Sequence, residues 1–342
     1  LAQQQGEGNF SSTRYPAISG LALWALALND GAADLKVAQG LDKGVDFIIS
    51  KAHPSGAIFD QQGGLRNYNT NLGMLGLHMS GLEKARPYVL KAREYVAKSQ
   101  HSGDDLYKGG FGYDAELGRN YSDGINTFTA IESWVMTASA EDHRKEGKSP
   151  TIDKSELVKF IDRLKNDPSI NKDSPFATDR PSEKGGHFYK PDDNRAGSFT
   201  NAVGVVKFNS YGSMTYAAML SYIYADLKPD DHRVKSAYRW AMDHWTLAEN
   251  PGTGQQGLYY YINVMTKGLN VMGKDVVKTK DGREVHWRSE VIKRLIELQK
   301  QAEAGNVMWV NEKDRWMEGD PVLVSSYTLI ALQNAIRGVT PQ

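Results

Sequence analysis

Hydrophobic and polar positions along this chain fall into two kinds of segment that alternate. Six segments open on polar or aromatic residues and then run into Ala, Gly, Leu and Met, with apolar positions nearly all round: 15–28, 68–80, 122–138, 211–227, 258–272 and 320–336. A helix that is apolar on every side is buried on every side. Five further segments, 36–51, 84–100, 154–165, 232–245 and 286–301, carry an apolar stripe at helical spacing and a charged opposite face. That pattern belongs to a helix with one face in water. Asp153 or Ser155 before the third of these, and Pro229-Asp230-Asp231 before the fourth, supply the expected start signals.

The alternation predicts an all-α fold, an (α/α)6 toroid in which six buried helices form an inner ring and amphipathic helices wrap it. A sixth outer helix is not evident, and the N-terminal segment is expected in its place. Links from outer to inner helices repeat a small-then-aromatic device: Ser55-Gly56-Ala57-Ile58-Phe59, Gly109-Gly110-Phe111, Gly185-Gly186-His187-Phe188-Tyr189, Gly257-Leu258-Tyr259 and Gly305-Asn306-Val307-Met308-Trp309. Glycine allows the reversal, and the aromatic ring fills the gap between neighbouring hairpins. One link, about 167–210, is much longer and rich in Asp, Lys, Pro, Asn and Gly. Long ordered links are frequently functional, so it reads as an excursion over one mouth of a single domain spanning 1–342.

Composition narrows the chemistry. The 342 residues balance 41 Lys+Arg against 41 Asp+Glu and include no cysteine. A chain of this size buries roughly three-quarters of its unfolded surface and needs no disulfide to hold a core. Zero formal charge argues against a sequence-independent nucleic-acid binder. Without Cys there is no thiolate zinc site, thiol nucleophile or iron–sulfur cluster, and no metal or other cofactor is expected. No apolar run is long enough for an integral membrane segment. The polar start, Leu1-Ala2-Gln3-Gln4-Gln5-Gly6, lacks an initiator methionine, which gives the expectation of an exported, periplasmic or extracellular protein whose leader has been removed.

The repeats resemble a known superfamily. Gln100 followed by Gly109-Gly110-Phe111, and Gln299 to Gln301 followed by Gly305-Asn306-Val307-Met308-Trp309, are similar to the glutamine–tryptophan repeats of squalene-cyclase and protein-prenyltransferase-type α/α toroids. Tyr211-Gly212-Ser213-Met214-Thr215-Tyr216 resembles the start of an inner helix in those repeats, and the likeness runs from about Tyr15 to Ala335. It implies a fold more than an activity, since one fold hosts many functions. The Asp-x-Asp-Asp motif with which class II terpene cyclases protonate their substrate is absent. Asp104-Asp105, Asp192-Asp193 and Asp230-Asp231 each lack the first acid. The prenyltransferase zinc set needs a Cys that this chain does not have.

In such rings the cavity opens at the N-terminal ends of the inner helices. There this sequence places hydroxyls, amides and guanidiniums rather than the aliphatic and aromatic lining a terpene would want. The lead expectation is therefore a carbohydrate-active enzyme, a polysaccharide lyase that cleaves an acidic polysaccharide or oligosaccharide by β-elimination next to a uronate. The polysaccharide lyase toroids are similar in architecture. Arg66 and Asn67 are candidates to neutralise the substrate carboxylate, and Tyr260 and His187 to move protons. Tyr68, Asn69, Asn126, Tyr211, Arg315, Trp316, Glu318 and Asp320 are candidate substrate-binding residues.

Each has a structural reading beside the chemical one. Asn67, Asn69 and Asn126 suit helix caps, and Tyr259 to Tyr261 occupy different sides of one turn. His187 sits in a repeated structural link. Glu318 and Asp320 fit either an acid/base pair of glycoside hydrolysis or a cap with a salt bridge. Two alternatives stay open. One is a terpenoid-cyclase-like or isoprenoid-binding enzyme with a nonstandard acid, Asp123 or Asp320. The other is a noncatalytic toroid that binds a glycan or peptide.

Overall fold

The computed structural model describes residues 1–28, 34–114 and 121–337. The six all-round apolar segments appear as α1 (Pro16–Ala27), α3 (Arg66–Met79), α5 (Gly124–Met136), α7 (Gly212–Tyr224), α9 (Leu258–Val271) and α11 (Pro321–Ile336). The five amphipathic ones appear as α2 (Leu35–Ser50), α4 (Arg86–Lys98), α6 (Lys154–Asp162), α8 (His232–Asp243) and α10 (Trp287–Glu297). The protein is thus mostly helical. Its described strands are three two-stranded antiparallel pairs, among them β1 (Ser198–Thr200) with β2 (Val206–Phe208). Among the described residues no helix is long and apolar enough to cross a membrane.

Burial follows the pattern of apolar positions. Every residue from Pro16 to Ala25 of α1 is buried, as is every residue from Gly212 to Tyr222 of α7. By contrast α2 and α8 bury one stripe, Gly40, Leu41, Gly44, Val45, Phe47 and Ile48 in the first, and Val234, Ala237, Trp240, Ala241 and Met242 in the second. Asp34 and Asp231 cap these two helices, their carboxylates accepting from Lys36 N at 2.7 Å and Arg233 N at 2.9 Å.

The chain forms two compact units. The first comprises Leu1–Ser102, Phe111–Ser122 and Thr129–Asp153, and the second Gly103–Gly110, Asp123–Phe128 and Lys154–Gln342. In the first, α1 and α3 approach backbone to backbone: a Cβ on Gly20 would collide with the carbonyl of Leu72, and one on Gly76 with the carbonyl of Gly20. The Arg93 side chain of α4 is spent inside the same unit. Its Nε donates to Glu141 at 2.6 Å, its Nη1 to Trp134 O and Thr137 Oγ1 at 2.7 Å each, and its guanidinium lies 4.0 Å from the Trp134 ring.

In the second unit the link after α6 shows why glycine is required. Gly185 has φ +97°, and a Cβ there would press into the carbonyl of Ser236 on α8. Phe188, three residues on, is fully buried, as the small-then-aromatic reading of the link implies. The long link is not a loose excursion. Asn166 Nδ2 donates to Phe208 O at 2.9 Å and to Ser210 Oγ at 2.8 Å, and Phe176 stacks on Phe208 at 4.3 Å. This link carries an open groove of about 550 Å³ beside Arg180, Phe199 and Lys207.

Candidate active site

The starts of the buried helices hold most of the polar residues that the sequence singles out, and the structure shows what each does. In the first unit, Asn69 joins two segments. Its Oδ1 accepts from Ala17 N, at the start of α1, at 3.1 Å, and its Nδ2 donates to Gly64 O at 2.8 Å. Asn67 is buried and donates to Gly112 O at 2.7 Å, and its Oδ1 has no partner among the described residues. The Arg66 guanidinium lies 4.4 Å from the Phe59 ring, with its Nε 3.6 Å from Asp114 Oδ2. Its charge is already faced by a buried acid. Tyr68 stands against Tyr113, ring centroids 6.4 Å apart.

The two expected proton movers sit in the second unit with separate partners. His187 is fully buried; its N donates to Thr215 Oγ1 at 3.0 Å and its Nε2 lies 3.5 Å from Tyr222 Oη. Burial, with the nearby Lys165 charge, pushes the imidazole well below its ordinary range, so it stays neutral. Tyr222 in turn donates to Asp162 Oδ1 at 2.7 Å, and Lys165 Nζ donates to Gly185 O and Arg233 O at 3.2 Å each. Burial pushes Lys165 down to about 7. Tyr260 belongs elsewhere, its ring edge-on to Tyr327 at 5.6 Å and its N donating to Glu318 Oε1 at 2.8 Å.

Glu318 acts as a cap. The residue ahead of α9 is Gly257, which has no side chain to cap with, and the Glu318 carboxylate accepts from Tyr260 N and, at 3.4 Å, Tyr259 N, with Asn311 Nδ2 on Oε2 at 2.7 Å. Burial pushes its carboxyl up, and those donors act against the rise. Asp320 caps α11, accepting from Val322 N at 2.8 Å and Leu323 N at 3.1 Å. Arg315 lies 4.7 Å from the exposed Trp316 ring. Tyr211 is buried and its N donates to His187 O at 3.2 Å.

One acid stands apart. Asp123 precedes α5 and is completely buried. Its Oδ1 accepts from Ile125 N at 3.0 Å and Asn126 N at 2.9 Å, and its Oδ2 accepts from Asn126 Nδ2 at 2.7 Å. The Tyr189 hydroxyl also donates to this carboxyl. Desolvation outweighs these donors and pushes Asp123 up to about 6. Arg195 hydrogen-bonds the Tyr189 hydroxyl, lies 4.5 Å from its ring and pairs with Asp193 at 3.2 Å.

Asp123 and Asn126 are visible in the sequence as an acid and an amide at a helix start. Tyr189 and Arg195 are not, because they lie more than sixty residues away in the long link and no local spacing ties them to α5. Among the described residues no three His or acidic side chains converge to hold a metal ion.

No family model matches the chain, and no curated protein matches it. Solved structures of similar fold are found. The apo type II terpene cyclase MstE from Scytonema matches with TM-score 0.56 and 12% identity over 98% of this chain and 94% of that one. A variant of the same enzyme holding the substrate geranylgeranyl dihydroxybenzoate matches with TM-score 0.54 and 12% identity, covering 98% and 94%. A variant holding the product merosterolic acid A matches with TM-score 0.54 and 11% identity, covering 98% and 92%.

At that identity the likeness is one of fold. It fits the squalene-cyclase-like resemblance and corrects the carbohydrate reading. The matched structures are of a terpene cyclase, one of them holding geranylgeranyl dihydroxybenzoate and another merosterolic acid A, so a polysaccharide lyase, and a polysaccharide or oligosaccharide as its partner, are set aside. The physical reason is that the polar residues at the helix starts do not form a free sugar-binding lining. Asn69, Glu318 and Asp320 instead satisfy the N–H groups of helix ends, and Arg66 already faces Asp114.

Proposed function

We propose that this protein is a terpenoid-cyclase-like enzyme that starts cyclisation of an isoprenoid chain by protonation, with Asp123 as the acid in place of the missing Asp-x-Asp-Asp motif. The helical hairpins are proposed to close as an α/α toroid around that chain. The observation that carries the reading is the Asp123 carboxyl, wholly buried at the head of an all-round apolar helix and pushed up to about 6. A proton donor to an alkene must hold its proton when it acts and be shielded from water; burial raises the protonated share and excludes water. With its pKa at about 6, about a tenth of the molecules carry the proton at pH 7.

The chemistry follows from a neutral acid in an apolar surround. The carboxyl O–H breaks as a C–H bond forms at the less substituted carbon of a trisubstituted double bond. The cation is left on the tertiary carbon, and the next double bond closes a ring onto it. Loss of a proton from the final cation ends the reaction and balances the one supplied. Asp320 is the weaker candidate because it is only half-buried, its carboxylate turned onto backbone N–H groups at the start of α11.

The test is to incubate the protein with geranylgeranylated aromatic acids and with linear isoprenoids, following loss of olefinic protons by NMR and unchanged mass by mass spectrometry. Asp123→Asn is expected to lower cyclised product by at least a hundredfold, while Asp320→Asn retains it. Asparagine is tolerated at 123, because the Asn126 side-chain oxygen has no partner among the described residues and its amide can turn to accept. Wild-type-like cyclisation by Asp123→Asn would sink the assignment of the acid.

A further inference from the structure

An acid that works more than once must be reloaded, and Asp123 has no exposed surface through which water could do it. Its partners differ in what they can do with a proton. Ile125 N and Asn126 N can only donate, and both are spent on Oδ1. The Asn126 amide, if turned, accepts a proton's hydrogen bond but passes nothing on. A hydroxyl accepts on one side while it releases on the other. Tyr189 is the partner of Asp123 with that property.

Tyr189 also leads outward. It is 5% exposed, and the Arg195 side chain that hydrogen-bonds its hydroxyl is 35% exposed. Exposure therefore rises stepwise from acid to phenol to guanidinium. A fixed cation 4.5 Å from the ring and bonded to its oxygen favours charge on that oxygen.

We propose that Tyr189 is the relay through which Asp123 regains its proton from solvent, with Arg195 stabilising the transient phenolate. When the carboxyl has given its proton away, the carboxylate takes the phenolic hydrogen: the Tyr189 O–H bond breaks and the Asp123 O–H bond forms. The phenolate then takes a proton from water at the Arg195 side. Solvent supplies one proton per cycle, and the proton lost from the final cation returns one. Arg195 stays protonated throughout. The catalytic consequence rests on the cyclase reading; the proton movement itself does not.

The experiment therefore has two arms. In the first, infrared spectra taken at about pH 5 identify the carbonyl stretch of protonated Asp123 as the band missing from Asp123→Asn. Transfer into heavy water then times its isotope shift. The wild type is expected to exchange within the mixing time, Tyr189→Phe at least tenfold more slowly, and Arg195→Gln between the two. Phenylalanine keeps the ring, so a general loss of structure is not expected, and helical circular dichroism checks it. In the second arm, with a cyclised substrate in hand, Tyr189→Phe is expected to complete a first turnover at the wild-type rate and then fall at least tenfold.

Equal exchange rates in wild type and Tyr189→Phe, or no band lost in Asp123→Asn, would overturn the relay. Slowed exchange with no substrate cyclised would uphold the relay while counting against the cyclase reading. Cyclisation with unchanged exchange would do the reverse.

Discussion

A single carboxyl shows how burial becomes a measurable property. The fully buried Asp123 is pushed from 3.8 up to about 6 by desolvation, against four hydrogen-bond donors. A group whose folded pKa is raised contributes stability that is fully present below its unfolded pKa and is lost as pH rises through the folded one. Relative to Asp123→Asn, which does not titrate, the wild type is therefore expected to lose about 2 kcal/mol of stability between pH 4 and pH 7. Urea melts of both proteins across that range measure it, and a flat difference would mean that the carboxyl is ionised throughout.

Lys165 runs in the opposite sense. It is buried and pushed down to about 7, so its contribution is present above its unfolded pKa of about 10 and lost as pH falls through about 7. Lys165→Met is expected to flatten the rise in stability between pH 7 and pH 10, checked by the same melts. Sequence reasoning offers Asp123 beside Asp320 as a nonstandard acid at the start of an all-round apolar helix, and the structure separates the fully buried acid from the half-buried one. Sequence reasoning missed Lys165, which reads as the last charged residue of a solvated helix face. A pairing partner across the fold, not a local pattern, decides whether a charge stays in water.

At the scale of elements the sequence was legible, and the reason is periodicity. Buried and half-buried helices differ in how many of their faces are apolar, and the alternation of the two kinds reproduces α1 to α11 in order. Local spacing could not show that several buried helices take caps from distant segments. Asn69 serves the start of α1 and Glu318 the start of α9, while Asn250 Oδ1 accepts from Ser213 N of α7 at 3.0 Å. Asn69 and Glu318 each sit beside another helix start in the sequence, which is why they look like part of a polar cavity lining.

The distinction is testable at Glu318. Removing its carboxylate by Glu318→Ala leaves buried N–H groups of α9 and the Asn311 amide without their acceptor, an expected loss of about 2–4 kcal/mol. Glu318→Gln, which keeps one acceptor oxygen, is expected to lose about half as much. Denaturant melts decide it, and a loss below about 0.5 kcal/mol for Glu318→Ala would return the residue to the list of candidate acids.

For the whole molecule, fold likeness and chemistry have to be tested apart, because a shared fold at 11–12% identity says nothing by itself about what the chain binds. Binding and proton transfer can be separated by the variant that lacks the acid. If the chain accommodates an isoprenoid, Asp123→Asn should still bind it and hold it unreacted, since the amide keeps the shape of the site and removes only the transferable proton. A ligand present at a hundredfold over its Kd stabilises by about 2.7 kcal/mol, which for a chain of 342 residues raises the melting temperature by roughly 4 °C. A geranylgeranylated aromatic acid is expected to give that shift with Asp123→Asn, and a polyuronate none. A shift with the polyuronate alone would reopen the carbohydrate reading. A shift with the prenylated acid but no cyclised product from the wild type would leave an isoprenoid-binding protein whose buried acid serves only to cap α5.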